Sequence, residues 1–306
     1  MLELAACATP PFAIVVESAE PSGIDLVVEE LLAPLQPMRE QLVAITGIGL
    51  EPEEEIEAFE ARRGEVRAEG NVVLSYIEAG SPTGQRVLFI HGSPGSADEW
   101  AALLAEVPRG QLRLAVDRPG FGDTRPYEAV ESLTRQAAAL RPLLETGDDR
   151  GTILVGYSYG GPVALRAALD MPDRVEGLLL IGSAADPAEE DINPLQALLE
   201  LEAFAELLPD ELAHANSELL ALRDELAAMA GELHRLRIPV TVIHGLQDTL
   251  VPPQNVTYLD RQLTAASPMR VVLIEEGDHF LPWSHVDAIN AALACLVRDV
   301  ERARRN

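Results

Sequence analysis

Thr152-Ile153-Leu154-Val155-Gly156-Tyr157-Ser158-Tyr159-Gly160 runs from a short apolar stretch into the pattern Gly-x-Ser-x-Gly, and Pro162 to Leu169 then reads as a helix. The expectation is a buried strand that turns abruptly into a helix. The glycines have a steric reason: in so tight a turn, side chains two residues either side of the serine would collide, while the serine hydroxyl projects above the sheet. The helix that follows aims its free amides at the same point. At ordinary glycine and serine frequencies the bare pattern arises by chance in about one chain in ten of this length. The strand-turn-helix context therefore carries the reading.

On both sides of this stretch, short apolar runs alternate with helical segments. Arg86 to Ile90, Leu112 to Val116, Val175 to Ile181, Val240 to Ile243 and Val271 to Ile274 join Thr152 to Val155 as candidate strands. Ala97 to Val107 and Leu133 to Thr146 read as helices between them, the first opened by the capping pattern Ser96-Ala97-Asp98-Glu99. Such alternation predicts an α/β fold with a mostly parallel central sheet flanked by helices. Val66-Arg67-Ala68 and Val72 to Glu78, around Glu69-Gly70-Asn71, read as an opening hairpin.

Two segments break the alternation. Residues 1–63 read as an N-terminal helical extension, with acidic helical stretches over Leu26 to Ile45 and Glu53 to Arg63 and no strand pattern. Residues 186–237 read as a helical cap inserted between the first part of the core, 64–185, and the second, 238–306. Within the cap, Leu212, Ala215, Leu219, Leu222, Leu226, Met229, Leu233 and Leu236 recur at steps of three and four, which puts them on one helix face. That face either packs on the domain's own apolar surface or forms the seam of a homodimer. In either case the insertion is expected to roof the carboxyl edge of the sheet.

A serine hydroxyl is a poor nucleophile at neutral pH and needs a base with a fixed tautomer. His279, in Gly277-Asp278-His279-Phe280, follows the last strand candidate, and Asp248, in His244-Gly245-Leu246-Gln247-Asp248, follows the one before it. Both would then lie at the edge that carries Ser158. The rivals are His285 for the base and Asp186 for the acid. No zinc-ligand spacing and no phosphate loop occurs, so no cofactor and no metal are expected.

Composition narrows the partners. With 23 Lys+Arg against 50 Asp+Glu the net charge is −27, and no lysine occurs. Neither nucleic acid nor an anionic membrane is an expected partner, since both require clustered cations. The sequence has no uninterrupted apolar run of membrane-spanning length. Cys7 and Cys295 form no metal or redox pair by spacing; free thiols are the default, with a structural disulfide as the alternative. Leu4-Ala5-Ala6-Cys7 is similar to a bacterial lipoprotein cleavage box, but only Met1 to Ala6 precede the cysteine. A cytoplasmic protein is expected as written, and an envelope lipoprotein if the true start lies upstream.

Taken together, His91-Gly92-Ser93-Pro94-Gly95, Asp117-Arg118-Pro119-Gly120-Phe121-Gly122, Gly156 to Gly161, His244 to Asp248 with Val251-Pro252, and Gly277 to His279 resemble the α/β-hydrolase superfamily in its serine esterase-like branch, over roughly residues 65 to 300. The resemblance implies Ser158 as nucleophile, His279 as base, Asp248 as acid, and an oxyanion hole made by the backbone N–H groups of Ser93 and Tyr159. His91 would brace the oxyanion loop. Tyr157 and Phe121 are candidates to contact substrate, with Trp100, Tyr159 and Trp283 as further pocket candidates, and each of these aromatic residues is equally plausible as core. Aspartate stands at the elbow of the superfamily's haloalkane dehalogenases and epoxide hydrolases, so Ser158 argues against both. His-Gly-Ser-Pro-Gly in place of His-Gly-Gly-Gly weakens a lipase assignment. The implied activity is hydrolysis of a neutral small-molecule carboxylic ester through an acyl-enzyme. The alternatives are a C–C bond hydrolase, lactonase or perhydrolase using the same triad, and a ligand-binding protein that has lost turnover.

Overall fold

The computed structural model describes residues 13–16 (backbone only), 62–145, 150–190 and 209–305. Its strands are β1 (Ala13–Val16), β2 (Arg63–Arg67), β3 (Val73–Gly80), β4 (Gln85–Ile90), β5 (Gln111–Val116), β6 (Thr152–Tyr157), β7 (Val175–Ile181), β8 (Val240–Gly245) and β9 (Met269–Ile274). They form one sheet in the order β1-β9-β8-β7-β6-β4-β5-β3-β2. β2 pairs antiparallel with β3, and β3 with β5. Every other neighbouring pair is parallel.

Each strand expected from an apolar run is present, and most extend further. Ladder pairing continues past the apolar residues: Gln85 faces Gln111 at the start of β4 and β5, and β8 runs on through His244 and Gly245. The expected hairpin is β2 and β3, with a 3₁₀ turn over Glu69–Asn71.

The helices are α1 (Ala101–Ala105), α2 (Leu133–Ala139), α3 (Arg141–Leu144), α4 (Gly160–Asp170), α5 (Asp210–Ala230), α6 (Gln254–Gln262), α7 (Leu281–Ser284) and α8 (Val286–Ala303). The helix expected over Leu133 to Thr146 is divided at Leu140, because Pro142 lacks the N–H that would continue the ladder. Ala97–Trp100 is a 3₁₀ turn ahead of α1, capped by Ser96 Oγ accepting from Asp98 N at 3.3 Å.

Side chains alternate across the sheet. Leu88, Ile90, Leu154, Leu178, Leu180 and Val242 face one layer with α2, α4 and α5. Val87, Phe89, Ile153, Val155, Leu179 and Ile243 face the other layer with α1 and α8. In the inserted segment Ala215, Leu222, Leu226, Met229, Leu233 and Leu236 are buried. Those from Leu222 onward belong to the main core, and Leu219 packs against it half-buried. In the described part of the insertion the apolar face thus lies on this chain's own core.

Three expectations are corrected. Ala13–Val16 is a strand, paired parallel with β9 from Val271 to Ile274, although the sequence reading placed only helix before residue 64. A four-residue Ala-Ile-Val-Val run is too short to show alternation, yet it suits a sheet edge. Arg63 opens β2 and does not end a helix. Cys295 is disulfide-bonded and not a free thiol. The remainder of the extension, Cys7, and residues 191–208 of the cap lie outside the described residues.

Candidate active site

The chain leaves β4 for β5 on one side and then crosses to β6 on the other, so the sheet's order reverses at β4. In open α/β sheets a crevice forms at the carboxyl ends of the strands beside such a reversal. The loops after β4 and β6 open there: His91 to Gly95 from the first, Ser158 from the second.

Ser158 is held at φ 52°, a left-handed conformation that a non-glycine residue adopts only when its surroundings impose it. Its N–H donates to Ile181 O at 3.0 Å and its carbonyl accepts from Gly161 N at 3.0 Å. A Cβ on Gly156 would strike the Gly160 carbonyl oxygen, and one on Gly160 would strike the Ile90 carbonyl oxygen. Both glycines of the pattern are therefore required by close approach.

Ser158 Oγ lies 3.0 Å from His279 Nε2, and His279 Nδ1 lies 2.8 Å from Asp248 Oδ2. Asp248 and His279 are buried, at 4% and 6% exposure. The other carboxylate oxygen, Asp248 Oδ1, accepts from the backbone N–H of Leu250 at 3.0 Å and of Val251 at 2.8 Å. The loops after β8 and β9 are laced together: Leu246 N donates to Ile274 O and Gln247 N to Gly277 O, both at 2.9 Å. A Cβ on Gly245 would strike Gly277 O, so this glycine lets the Asp248 loop meet the His279 loop. His244 Nε2 donates to Val251 O at 2.8 Å and lies 3.5 Å from Asp248 Oδ2. Burial lowers the His244 pKa, which keeps the ring neutral as a brace for the Asp248 loop.

The two rivals stand elsewhere. Asp186 Oδ1 accepts from Ala188 N at 2.9 Å within its own turn. His285 precedes α8, with Nδ1 2.8 Å from Ser284 Oγ. Of the pocket candidates, Tyr157 packs its ring 5.1 Å from that of His279 and 5.7 Å from Trp283. Trp100 is fully buried beneath Tyr157 and Phe89. Phe121 is 1% exposed and lies against His91 and Arg118, which makes it a support of the loop and not a lining residue.

The oxyanion-loop candidates are tied into a polar network. A Cβ on Gly92 would stand 3.1 Å from Ser158 Cβ, which puts the loop against Ser158. His91 is fully buried: Nε2 accepts from Arg118 N at 3.0 Å and Nδ1 donates to Gly92 O at 2.8 Å. Burial, reinforced by the Arg118 charge, holds its pKa well below the usual range, so the ring is neutral and this tautomer is consistent. Arg118 Nε donates to His91 O at 3.0 Å and one terminal nitrogen to Gly92 O at 2.7 Å. Its guanidinium lies over the rings of Phe121 and Tyr159, 4.8 and 4.7 Å from their centroids.

Arg118 is neutralised by Glu218 of α5, with N–O distances of 2.7 and 3.1 Å. Glu218 also accepts from Ser93 Oγ at 2.6 Å and from Gln136 Nε2 at 2.7 Å. Both charged side chains are fully buried. Burial pushes the Glu218 carboxyl up, opposed by Arg118 and by the Ser93 hydrogen bond. Sequence reasoning missed this residue by reading Leu219 as the stripe position. Glu218 stands three residues after Ala215 and four before Leu222, on the buried face. A lone acid in register with an apolar stripe was the available signal.

A separate polar cavity, about 480 Å³, opens at the β2 edge and is lined by Arg63, Gly64, Glu65, Ser75, Asp123 and Arg125. β2 lies four places from β6 in the sheet, and Arg63 is committed to Asp117 at 2.8 Å and Asp98 at 2.5 Å. Asp117 also accepts from Ala97 N at 2.7 Å and so ties the turn after the His91–Gly95 loop to the end of β5.

A parallel sheet with a strained serine elbow, a histidine within hydrogen-bond reach and an acid behind it defines a class of hydrolytic enzymes. The sequence model of the Alpha/beta hydrolase family matches residues 87–292, and this chain belongs to that family. It is 26% identical over 249 residues to a pimeloyl-[acyl-carrier protein] methyl ester esterase of Neisseria meningitidis serogroup A, covering 70% of this chain and 76% of that one. It is 29% identical over 211 residues to the 2-hydroxymuconate semialdehyde hydrolase of Pseudomonas sp. strain CF600, covering 57% and 74%. A thermophilic esterase from Thermogutta terrifontis superposes with a TM-score of 0.62 at 23% identity, over 78% of this chain and 98% of that one. The protein is an enzyme of the α/β-hydrolase class. No described helix is long and apolar enough to cross a membrane.

Proposed function

We propose that the protein hydrolyses a neutral carboxylic ester through an acyl-enzyme. Ser158 Oγ attacks the carbonyl while His279 Nε2 takes its proton, and His279 returns that proton to the leaving alkoxide. Asp248 holds the Nδ1–H tautomer and stabilises the imidazolium. The N–H groups of Ser93 and Tyr159 receive the developing oxyanion, and water then releases the acid. The observation that carries the reading is the Ser158–His279–Asp248 chain, at 3.0 and 2.8 Å.

A second reading, C–C bond hydrolysis with the same residues, is supported by the likeness to the semialdehyde hydrolase. Charge separates the two. An anionic substrate needs a cation at the site, and Arg118, the arginine beside the oxyanion loop, is committed to Glu218 and to two loop carbonyls. The net charge of −27 also repels anions at long range. Short neutral p-nitrophenyl esters should therefore give a higher kcat/KM than equal-sized anionic esters, a lactone or a vinylogous diketone. A diketone turned over faster than every ester would replace the leading reading with the second.

The disulfide at Cys295 supports an oxidising compartment over the cytoplasm expected from the sequence as written.

A further inference from the structure

Both candidate oxyanion donors are built around one buried cation. The Ser93 N–H belongs to the Gly92–Ser93 peptide, whose carbonyl is gripped by Arg118 at 2.7 Å and by His91 Nδ1 at 2.8 Å. In a trans peptide the N–H points opposite to the C=O, so pinning the Gly92 carbonyl toward Arg118 directs the Ser93 N–H away from it. Tyr159, source of the second N–H, has its ring against the same guanidinium, with the centroid 4.7 Å from Arg118 Cζ. Arg118 is held by a residue of the inserted segment, Glu218, which also takes the Ser93 hydroxyl at 2.6 Å.

We infer that Arg118 and Glu218 are positioning residues for the oxyanion hole: the ion pair sets the orientation of the Ser93 and Tyr159 amides, and through Glu218 the insertion helix completes the hole. This rests on the esterase reading above. All four donors around Glu218 (two from Arg118, one each from Ser93 and Gln136) point at carboxylate oxygens, so the network is complete only with the anion. A cation bound to the Gly92 carbonyl also polarises that peptide and makes its N–H a stronger donor, which matters most when negative charge develops opposite it. The pair should therefore act on the transition state and leave ground-state binding alone.

Removing one charge strands the other in the core and risks unfolding. The decisive variant is therefore the neutral pair Arg118→Met/Glu218→Leu, beside Ser93→Ala, which takes away only the hydroxyl that Glu218 holds. For a p-nitrophenyl ester the neutral pair should lower kcat by about 10²-fold, the lower end of the loss for one oxyanion donor, with KM within about twofold as expected for an interaction made only in the transition state. Affinity for a trifluoromethyl ketone, which forms the tetrahedral oxyanion on Ser158, should fall in parallel with kcat. Ser93→Ala should show the same pattern with a smaller loss. A change of Tm alone, with kcat and ketone affinity at wild-type values in the folded neutral pair or in Ser93→Ala, overturns the inference. A neutral pair that fails to fold leaves Ser93→Ala to decide by the same two readouts. Ser158→Ala, run in parallel, keeps the questions apart: if it retains turnover, the esterase reading falls. If it is dead while the other variants keep full kcat, only the positioning role falls.

Discussion

Asp248 and Glu218 are both buried carboxylates near Ser158, and they are built in opposite ways. Asp248 sits on a loop at a strand's end, takes two backbone N–H groups on one oxygen and faces His279 with the other. Glu218 sits in mid-helix, takes no backbone donor among its described bonds, and is matched by three side chains, one of them cationic. In the proposed reaction the first arrangement leaves an oxygen facing a group that changes charge. The second closes every lone pair and freezes its neighbours. On the roles proposed above, a buried carboxylate supplies an electrostatic response in one case and geometry in the other, and the partners decide which.

The largest effect that bears on this contrast is loss of the group Asp248 serves. Ser158→Ala should reduce ester turnover by about 10⁶-fold, as for removal of a triad nucleophile elsewhere, with an unchanged circular dichroism spectrum. Turnover close to wild type would remove the reaction that gives Asp248 its role.

Next in size is Asp248, the proposed acid. Asp248→Asn should lower kcat by about 10⁴-fold, because the amide can hold the histidine in the wrong tautomer. Asp186→Asn should leave kcat within about twofold, its carboxylate being tied to its own turn. The reverse outcome in steady-state kinetics would exchange the two acids.

The smallest effect concerns a third buried carboxyl, Glu99, that has no cationic partner in contact among the described residues. Burial pushes Glu99 up to about 8. The native state then keeps a proton that the unfolded chain releases, so stability is greatest below the ordinary glutamate range and falls as pH rises toward about 8. Glu99→Gln should flatten that decline, with Tm near wild type at about pH 5 and above it at about pH 9, by about 2–4 °C per kcal/mol relieved in a chain of this size. Parallel Tm-against-pH curves for the two proteins would show that Glu99 is ionised in the fold and that pairing is not what separates it from Glu218.

Much of this molecule was determined by local sequence. The strands announce themselves as short apolar runs because a parallel sheet covered on both faces tolerates little else. Ser158, Asp248 and His279 were readable since each follows such a run, beside glycines that close backbone approach requires: Gly156 and Gly160 at the elbow, Gly245 against Gly277. What only the tertiary structure decided was partnership between distant residues. Arg118 and Glu218 stand 100 positions apart, and Ser93 and Glu218 125 apart. No periodicity links a loop to a helix face across that distance, and an acid in a helix reads as solvated until the core is seen to close around it. The pairing of Ala13–Val16 with β9 was hidden for the same reason, since a strand's place in a sheet is set by which edge is free and not by its own residues.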